Sequence, residues 1–459
     1  MNVLLVTYSF PPAAGVGVLR ALSLAKYLPE NGIRLDVLTT RNAAAVGHDA
    51  RPLAQLSAGV TIHRTWTPDL PFGLRKALKT IVSRTRSASN APARSPGNAN
   101  ANAAPNPLKQ FLANLLLPDP QLGWVPFALH AARSIVRKRK IDLVLLTVPP
   151  FSSVRVVTRL RRLFPVLPIV LDFRDEWLTS TIDLVSFNNN QRARVVAHKA
   201  ESEAVRDASA VVCVTEAAVA ELRKRYPEQP AAKFHCIPNG FDTAHSSAAT
   251  PRAAPAADAQ VTLTYIGSVY GSTDPAPLVE AVLSLPDDIR SRLRLRFIGH
   301  IETPALRSTL QRLEPAVALE LIGFLPQAQA LAYIAETDYL LLITHDAINV
   351  AAKLYDYIGS GRPILAAVHP TGDVRRILDR TRAGWSASIA SPAAIAQMLT
   401  DAVHRAPELA GHFLPDREAI AAYHRRPLTA RYAELLRTLA PNARPADPHL
   451  DEPAPRSRS

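Results

Sequence analysis

The chain has 459 residues, enough for two domains with separate cores, and its 47% hydrophobic and 20% charged residues describe a globular protein. Lys and Arg total 53 against 39 Asp and Glu, a net charge of +14 that suits nucleic acid, an anionic membrane surface or anionic substrates. No helix-turn-helix, zinc-finger or aromatic RNA-binding signature accompanies the charge, so nucleic acid is set aside.

The N-terminus enters a strand directly, without a basic leader, and no unbroken apolar run is long enough to span a bilayer. Cys213 and Cys236 lie in apolar, strand-like runs, which fits free thiols in a reducing cytoplasm better than a disulfide framework. A cytoplasmic protein is expected.

In chain order, Asn2–Thr7 reads as a buried strand, Tyr8–Gly17 as a loop, and Val18–Leu28 as a helix with Leu19, Leu22 and Ala25 inward. Leu35–Thr39 is the next strand, which completes a βαβ unit. Gly15 and Gly17 would let backbone approach a phosphate or a sugar closely, though such a pair is more often a plain tight turn. Phe72–Arg86 sets Leu74, Leu78, Ile81 and Val82 on one face among Arg75, Lys76, Lys79, Arg84 and Arg86. Two readings stay open for it: docking on an anionic membrane, or packing on its own domain. Ser87–Pro107, rich in Ala, Asn, Ser and Pro, reads as a disordered insertion, and the apolar run Phe111–Leu117 closes it.

Ile141–Thr147 and Pro168–Asp172 read as strands, with a basic helix Arg155–Leu163 between them. Asp172, Arg174 and Asp175 cluster where the second strand ends, the place where parallel sheets put ligands; an Arg–Asp network that only staples the strand end is the other reading. Val195–Asp207 is a helix and Ala210–Val214 a strand. Asn239-Gly240 signals a turn, and Ser246–Ala259 a linker. Beyond it, Val261–Gly267, Leu293–Ile298, Leu319–Ile322, Tyr339–Ile343 and Ile364–Val368 read as strands of a second α/β domain.

The stretch Asn349–Val368 reads as a short helix, a stop at Gly359 and Gly361, and a buried strand. Its N-terminus, at the carboxyl end of a parallel strand, would face a ligand with free N–H groups. Lys353 would add a charge, and Asp356 could accept hydrogen bonds from a ribose diol. Spacing alone fits a surface ion pair on an ordinary helix as well.

Lys-Leu-Tyr-Asp-Tyr-Ile-Gly-Ser-Gly-Arg-Pro-Ile at residues 353–364 resembles the nucleotide-sugar signature of family 4 glycosyltransferases. Asp-Phe-Arg-Asp-Glu-Trp at 172–177 resembles the version found in members that build cell-surface polysaccharides, and Pro-Asn-Gly-Phe-Asp at 238–242 resembles the family's interdomain boundary. The resemblance implies an α/β protein with two Rossmann-like domains facing across a cleft, the GT-B fold. It places an acceptor-side domain at 1–238, hinge and linker at 239–259, a nucleotide-sugar domain at 260–414, terminal helices crossing back at 415–440 and a disordered tail at 441–459. It implies a donor site from Gly15, Gly17, Gly267, Ser268, Gly299, Phe324, Leu325, Lys353, Leu354 and Asp356, with Asp172, Arg174 and Asp175 as the catalytic group.

Three departures from the family pattern stand out. Ile348 replaces a Glu that touches the donor sugar in many members, with Asp346 and Asn349 as substitutes at hand; Val16 breaks the glycine pair of the first loop; and Ser268–Pro277 lacks the usual Arg and Lys. The implied reaction moves a sugar from a nucleotide-sugar donor to an oligo- or polysaccharide or a lipid-linked acceptor, with retention. It needs no metal, no cofactor and no carboxylate nucleophile, because the departing phosphate can take the acceptor's proton. A nucleotide-sugar epimerase and a non-catalytic partner subunit of the same fold are the rival readings.

Overall fold

A computed structural model describes residues 1–42, 47–57, 59–68, 117–179, 191–242, 259–406 and 413–443. The basic stretch 72–86 and the expected disorder at 87–107 lie outside the described residues, as do most of the linker and most of the tail. The chain divides into two compact units. One comprises Met1–Arg174, Leu184–Val212 and Tyr432–Ser459; the other comprises Asp175–Asp183 and Cys213–Arg431.

The first sheet contains β1 (Asn2–Thr7), β2 (Arg34–Thr40), β3 (Val60–Thr65), β4 (Leu143–Val148), β5 (Ile169–Phe173), β6 (Ala210–Cys213) and β7 (Phe234–Cys236), in the spatial order β3-β2-β1-β4-β5-β6-β7. The pairs β1–β2, β1–β4, β2–β3 and β4–β5 are parallel. Continuous apolar runs such as Leu143–Leu146, all fully buried, are what a parallel strand covered on both faces requires. Helices α1 (Leu19–Tyr27), α2 (Val125–Lys138), α3 (Val154–Leu163) and α4 (Gln191–Asp207) belong to this unit; α2 packs beside α3, and α3 beside α4. The inward face of α1 agrees with the expected one at Ala25, which is fully buried, and differs elsewhere: Arg20, Ala21 and Leu24 are buried, whereas Leu19 and Leu22 are half-buried. A buried carboxylate, described below, turns the helix so that Arg20 points inward.

The second sheet contains β8 (Val261–Ile266), β9 (Leu293–Ile298), β10 (Ala318–Ile322), β11 (Tyr339–Thr344), β12 (Ile364–Val368) and β13 (Gly384–Ser388), ordered β10-β9-β8-β11-β12-β13 with every neighbouring pair parallel. One face buries Leu263, Leu295, Leu341 and the residues packed on them. The other buries Leu340, Leu342, Ile364 and Ala366 beneath helix α5 (Lys353–Ser360). Gly359 does not stop this helix as expected. It sits inside the last turn because the Phe241 ring lies against it, so that a Cβ there would fall 2.4 Å from the ring. Gly361, in the left-handed region at φ 72°, makes the stop. A last helix, α6 (Arg425–Leu439), closes the described chain. Among the described residues no helix is long and apolar enough to cross a membrane.

Candidate active site

The strand order reverses between β8 and β11 in the second sheet. Outside the carboxyl ends of two such strands the connections leave in opposite directions and open a crevice. The loop after β8 begins with Gly267 at φ 132°, and the loop after β9 with Gly299 at φ 144°. A Cβ on Gly299 would lie 2.3 Å from the Gly267 carbonyl oxygen, and a Cβ on Gly267 would lie 2.6 Å from Lys353 Nζ. Close approach and positive φ together restrict both positions to glycine. Helix α5 enters from the loop after β11. Its N-terminus carries no side-chain cap, and the hydroxyl oxygen of Tyr357 accepts the Ile266 N–H at 2.8 Å, tying the helix to the end of β8.

Lys353 is the unusual member of this group. Its residue surface as a whole is half-buried, yet its Nζ is sealed from solvent and has no hydrogen-bond partner among the described residues. The nitrogen stands 3.8 Å from the centroid of the Tyr265 ring, an attraction that replaces only part of the lost hydration. Burial pushes the ammonium down to about 7. The sequence supplied Lys353 as a full charge at the helix start; the fold holds it as a desolvated amine that an anion would recharge. Tyr265 in turn donates its hydroxyl to the Ser268 carbonyl at 2.8 Å.

The remaining expected donor residues take varied positions. Asp356 is half-buried in the first turn of α5, and Leu354 is fully buried in the core beneath it. Ser268 is exposed. Phe324 is 76% exposed in the loop after the edge strand β10, and Leu325 beside it is half-buried. Near the Ile348 position, Asp346 Oδ1 accepts the N–H of Ile348 and of Asn349, and its Oδ2 accepts from Asn349 Nδ2 at 3.1 Å. Asn349 Oδ1 accepts the Glu176 N–H at 3.0 Å. The two substitutes for the family Glu therefore already brace their own loop. Asp175 is half-buried; the Tyr270 hydroxyl is pushed up first by burial, with the Asp175 charge a lesser cause.

In the first unit the order reverses between β1 and β4, and Gly15, Gly17 and Arg174 all belong to connections at this end. Gly15 has φ 130°. A Cβ on Gly17 would lie 3.1 Å from Arg174 Nη1. Arg174 donates to the carbonyls of Gly17, Val148 and Pro149, so its fork clamps the glycine loop to the ends of β4 and β5. Asp172 is completely buried. Arg20 grips both of its oxygens, with Nη2 to Oδ1 at 2.8 Å and Nε to Oδ2 at 3.0 Å, and the Tyr432 hydroxyl donates to Oδ1 at 2.7 Å. Arg20 also donates to the Tyr432 oxygen and stands over its ring at 5.2 Å. In this geometry Asp172 organises α1 and α6 around the strand end. Neither Arg20 nor Tyr432 stood out in the sequence. A charged residue on the inward side of α1 was the available signal for Arg20, and no pattern marked Tyr432.

Two Rossmann-like sheets, each with a glycine loop at its reversal point, set the frame for comparison. The glycosyltransferase family 4 model matches residues 17–245. The chain belongs to glycosyltransferase family 4. No curated protein sequence matches it. Among solved structures it is similar to Anabaena HepE in complex with UDP and glucose, at 14% identity over 95% of this chain and 98% of that one, with a TM-score of 0.58. It is similar also to a trehalose-6-phosphate structure from E. coli bound with UDP-2-fluoro glucose, at 11% identity over 95% and 99% of the two chains, TM-score 0.61. The lipopolysaccharide outer core galactosyltransferase WaaB matches at 10% identity over 95% and 99%, TM-score 0.52. At such identities the likeness shows the fold, and this glycosyltransferase has the GT-B fold of two Rossmann-like domains. Among its described residues no group of three or more His, Cys, Asp and Glu could hold a metal ion.

Proposed function

We propose that this glycosyltransferase moves a sugar from a nucleotide-sugar donor to a growing saccharide or lipid-linked acceptor at the cytoplasmic face of a membrane, with retention and without a metal. One observation carries the donor assignment: the sealed, unpartnered Lys353 nitrogen against Gly267, at the reversal point of the second sheet. An isolated buried cation costs several kcal/mol, and a diphosphate on the glycine loops would offset that cost and return the proton to Lys353. HepE, a neighbour in fold, was solved with UDP and glucose, which supports a diphosphate of this kind. WaaB acts on lipopolysaccharide outer core by its name, which supports a saccharide acceptor; the basic stretch 72–86 supports the membrane side.

In the proposed step the bond from the anomeric carbon to the departing phosphate oxygen breaks, and the acceptor oxygen bonds to the same face of that carbon. The acceptor's proton passes to the departing phosphate. Lys353 meets the charge that develops there, in place of the Arg and Lys missing after Gly267. Asp356 would accept from the ribose diol, and the exposed Phe324 with Leu325 would border the base. Arg174 and Asp172 act by holding the first glycine loop and the strand end.

The non-catalytic reading keeps one specific support: Asp346 and Asn349 are engaged within their loop and leave Ile348 uncompensated. Incubation with a panel of nucleotide sugars separates the readings. Release of free nucleotide, raised by saccharide acceptors, is expected. An epimerised sugar would identify an epimerase, and absence of both binding and turnover would leave the partner-subunit reading standing.

A further inference from the structure

The net charge is not spread over the chain. Residues 70–171 contain sixteen Lys and Arg and only two acids, Asp119 and Asp142. That surplus equals the whole chain's +14, and the rest of the sequence carries equal numbers of acids and bases. The described part of this segment includes α2 and α3, side by side in one helical layer and without a single acidic residue. Arg133, Arg137 and Lys138 on α2 and Arg159 and Arg162 on α3 are exposed.

The same layer exposes apolar side chains that a protein normally buries. Trp66, just past β3, is 52% exposed, and Phe127, in the first turn of α2, is 40% exposed. Their rings meet edge to face at 5.3 Å and, with Pro126, Ala131 and His130, line an open apolar groove of about 460 Å³. At the other end of the layer Leu163 is 40% and Val166 93% exposed. The residues outside the described structure leave from Pro68 and return at Leu117. Pro68 packs on Gly123, where a Cβ would fall 2.4 Å from its ring, one turn from the groove.

We infer that Trp66, Phe127 and the exposed basic side of α2 and α3 form a docking face for an anionic lipid bilayer. Aromatic rings with one wet and one apolar side partition to the headgroup level, and an acid-free cationic layer is complementary to an anionic leaflet. The groove lies at the carboxyl-end side of the first sheet, at the end of β3 and the start of α2. The inference uses the lipid-linked acceptor of the proposed reaction as its purpose, but its evidence and its test do not depend on turnover.

The test is sedimentation of the full chain with vesicles of phosphatidylglycerol in phosphatidylcholine, and with pure phosphatidylcholine, at low and high salt. Preferential binding to the anionic vesicles, weakened by salt, is expected. Arg133→Glu/Arg137→Glu/Lys138→Glu should lower partitioning by more than about a hundredfold. Trp66→Ala/Phe127→Ala should lower it on the order of tenfold, with circular dichroism and nucleotide-sugar affinity unchanged in both. Binding indifferent to both variants would overturn the inference and leave the groove as a seat for the chain's own segment 72–86. So would failure of the wild type to bind anionic vesicles. A wild-type dimer that becomes monomeric with Trp66→Ala/Phe127→Ala would make the face an interface between copies, and would overturn it too.

Discussion

Lys353 is the residue on which the proposed donor site turns, and its proton is the measurable quantity. Its folded value near 7 lies below the ordinary lysine value of 10.5, so between these two the unfolded chain binds more protons. The burial penalty is present in full below pH 7 and is relieved as pH climbs toward 10.5; stability from this group rises across that window. Donor binding has the opposite slope, because a diphosphate favours the protonated amine. Affinity for a nucleotide sugar, read by calorimetry, should be about tenfold weaker at pH 8 than at pH 6. Lys353→Met should remove that dependence and weaken binding, while the free protein melts no lower than wild type, since an unpaired buried cation is exchanged for an apolar chain. A pH-independent wild-type affinity would remove Lys353 from the phosphate site. Asp356→Ala tests the neighbouring assignment. Loss of charge-assisted hydrogen bonds to a diol costs about 1.5–3 kcal/mol, so nucleotide affinity should fall by one to two orders of magnitude in a folded variant. Deoxyribose analogues should then bind wild type and variant nearly alike.

At the scale of elements, two glycine loops and one buried ion pair hold the carboxyl ends of the sheets. Gly267→Ala forces an L side chain into φ 132° and sets its Cβ 2.6 Å from Lys353 Nζ. Strain of about 1–3 kcal/mol is expected, visible as a lower melting temperature together with lost nucleotide binding. A variant that binds donor normally would show that the loop does not meet phosphate. In the first unit Tyr432→Phe removes the phenol that donates to buried Asp172, at a cost of about 1.5–3 kcal/mol. Arg20→Met, which leaves that carboxylate unpaired, should cost about 3–5 kcal/mol. Equal melting temperatures for all three proteins would reduce the triad to a surface-like contact.

These elements also show what the sequence could and could not reveal. Strands such as Asn2–Thr7 and Ile364–Val368 were legible because burial on both faces demands unbroken apolar runs. Val60–Thr65 was missed, Phe234–Cys236 showed only as a strand-like run around Cys236, and Gly384–Ser388 was missed. The first and last are edge strands with mostly half-buried residues, mixed in polarity, and Phe234–Cys236 is a three-residue edge. Lys353 and the glycines were legible as a motif. The sealing of the lysine nitrogen was not, because it depends on the Tyr265 ring and Gly267, which only the β8–β11 pairing brings beside it.

At the scale of the molecule, two compact units and two sheets, each sheet with its own buried residues, make a single two-state unfolding transition unsafe to assume. The assignment of donor and strand-end roles to different units gives a way to tell the transitions apart. A ligand stabilises only the body that binds it, by RT ln(1 + [L]/Kd), about 2.7 kcal/mol at a hundredfold excess over Kd. For a body of some 200 residues that is a rise of roughly 5–11 °C. In scanning calorimetry the transition that moves up with nucleotide sugar should be the one that Gly267→Ala lowers. The transition lowered by Tyr432→Phe should stay where it is when donor is added. If donor instead moves the Tyr432-sensitive transition alone, the nucleotide sits on the first sheet's glycine loop, and the roles of the two units are exchanged. If one transition carries every shift, the units unfold as one body, and Gly267→Ala and Tyr432→Phe should then add in their effects on it, because the two sites share no partner.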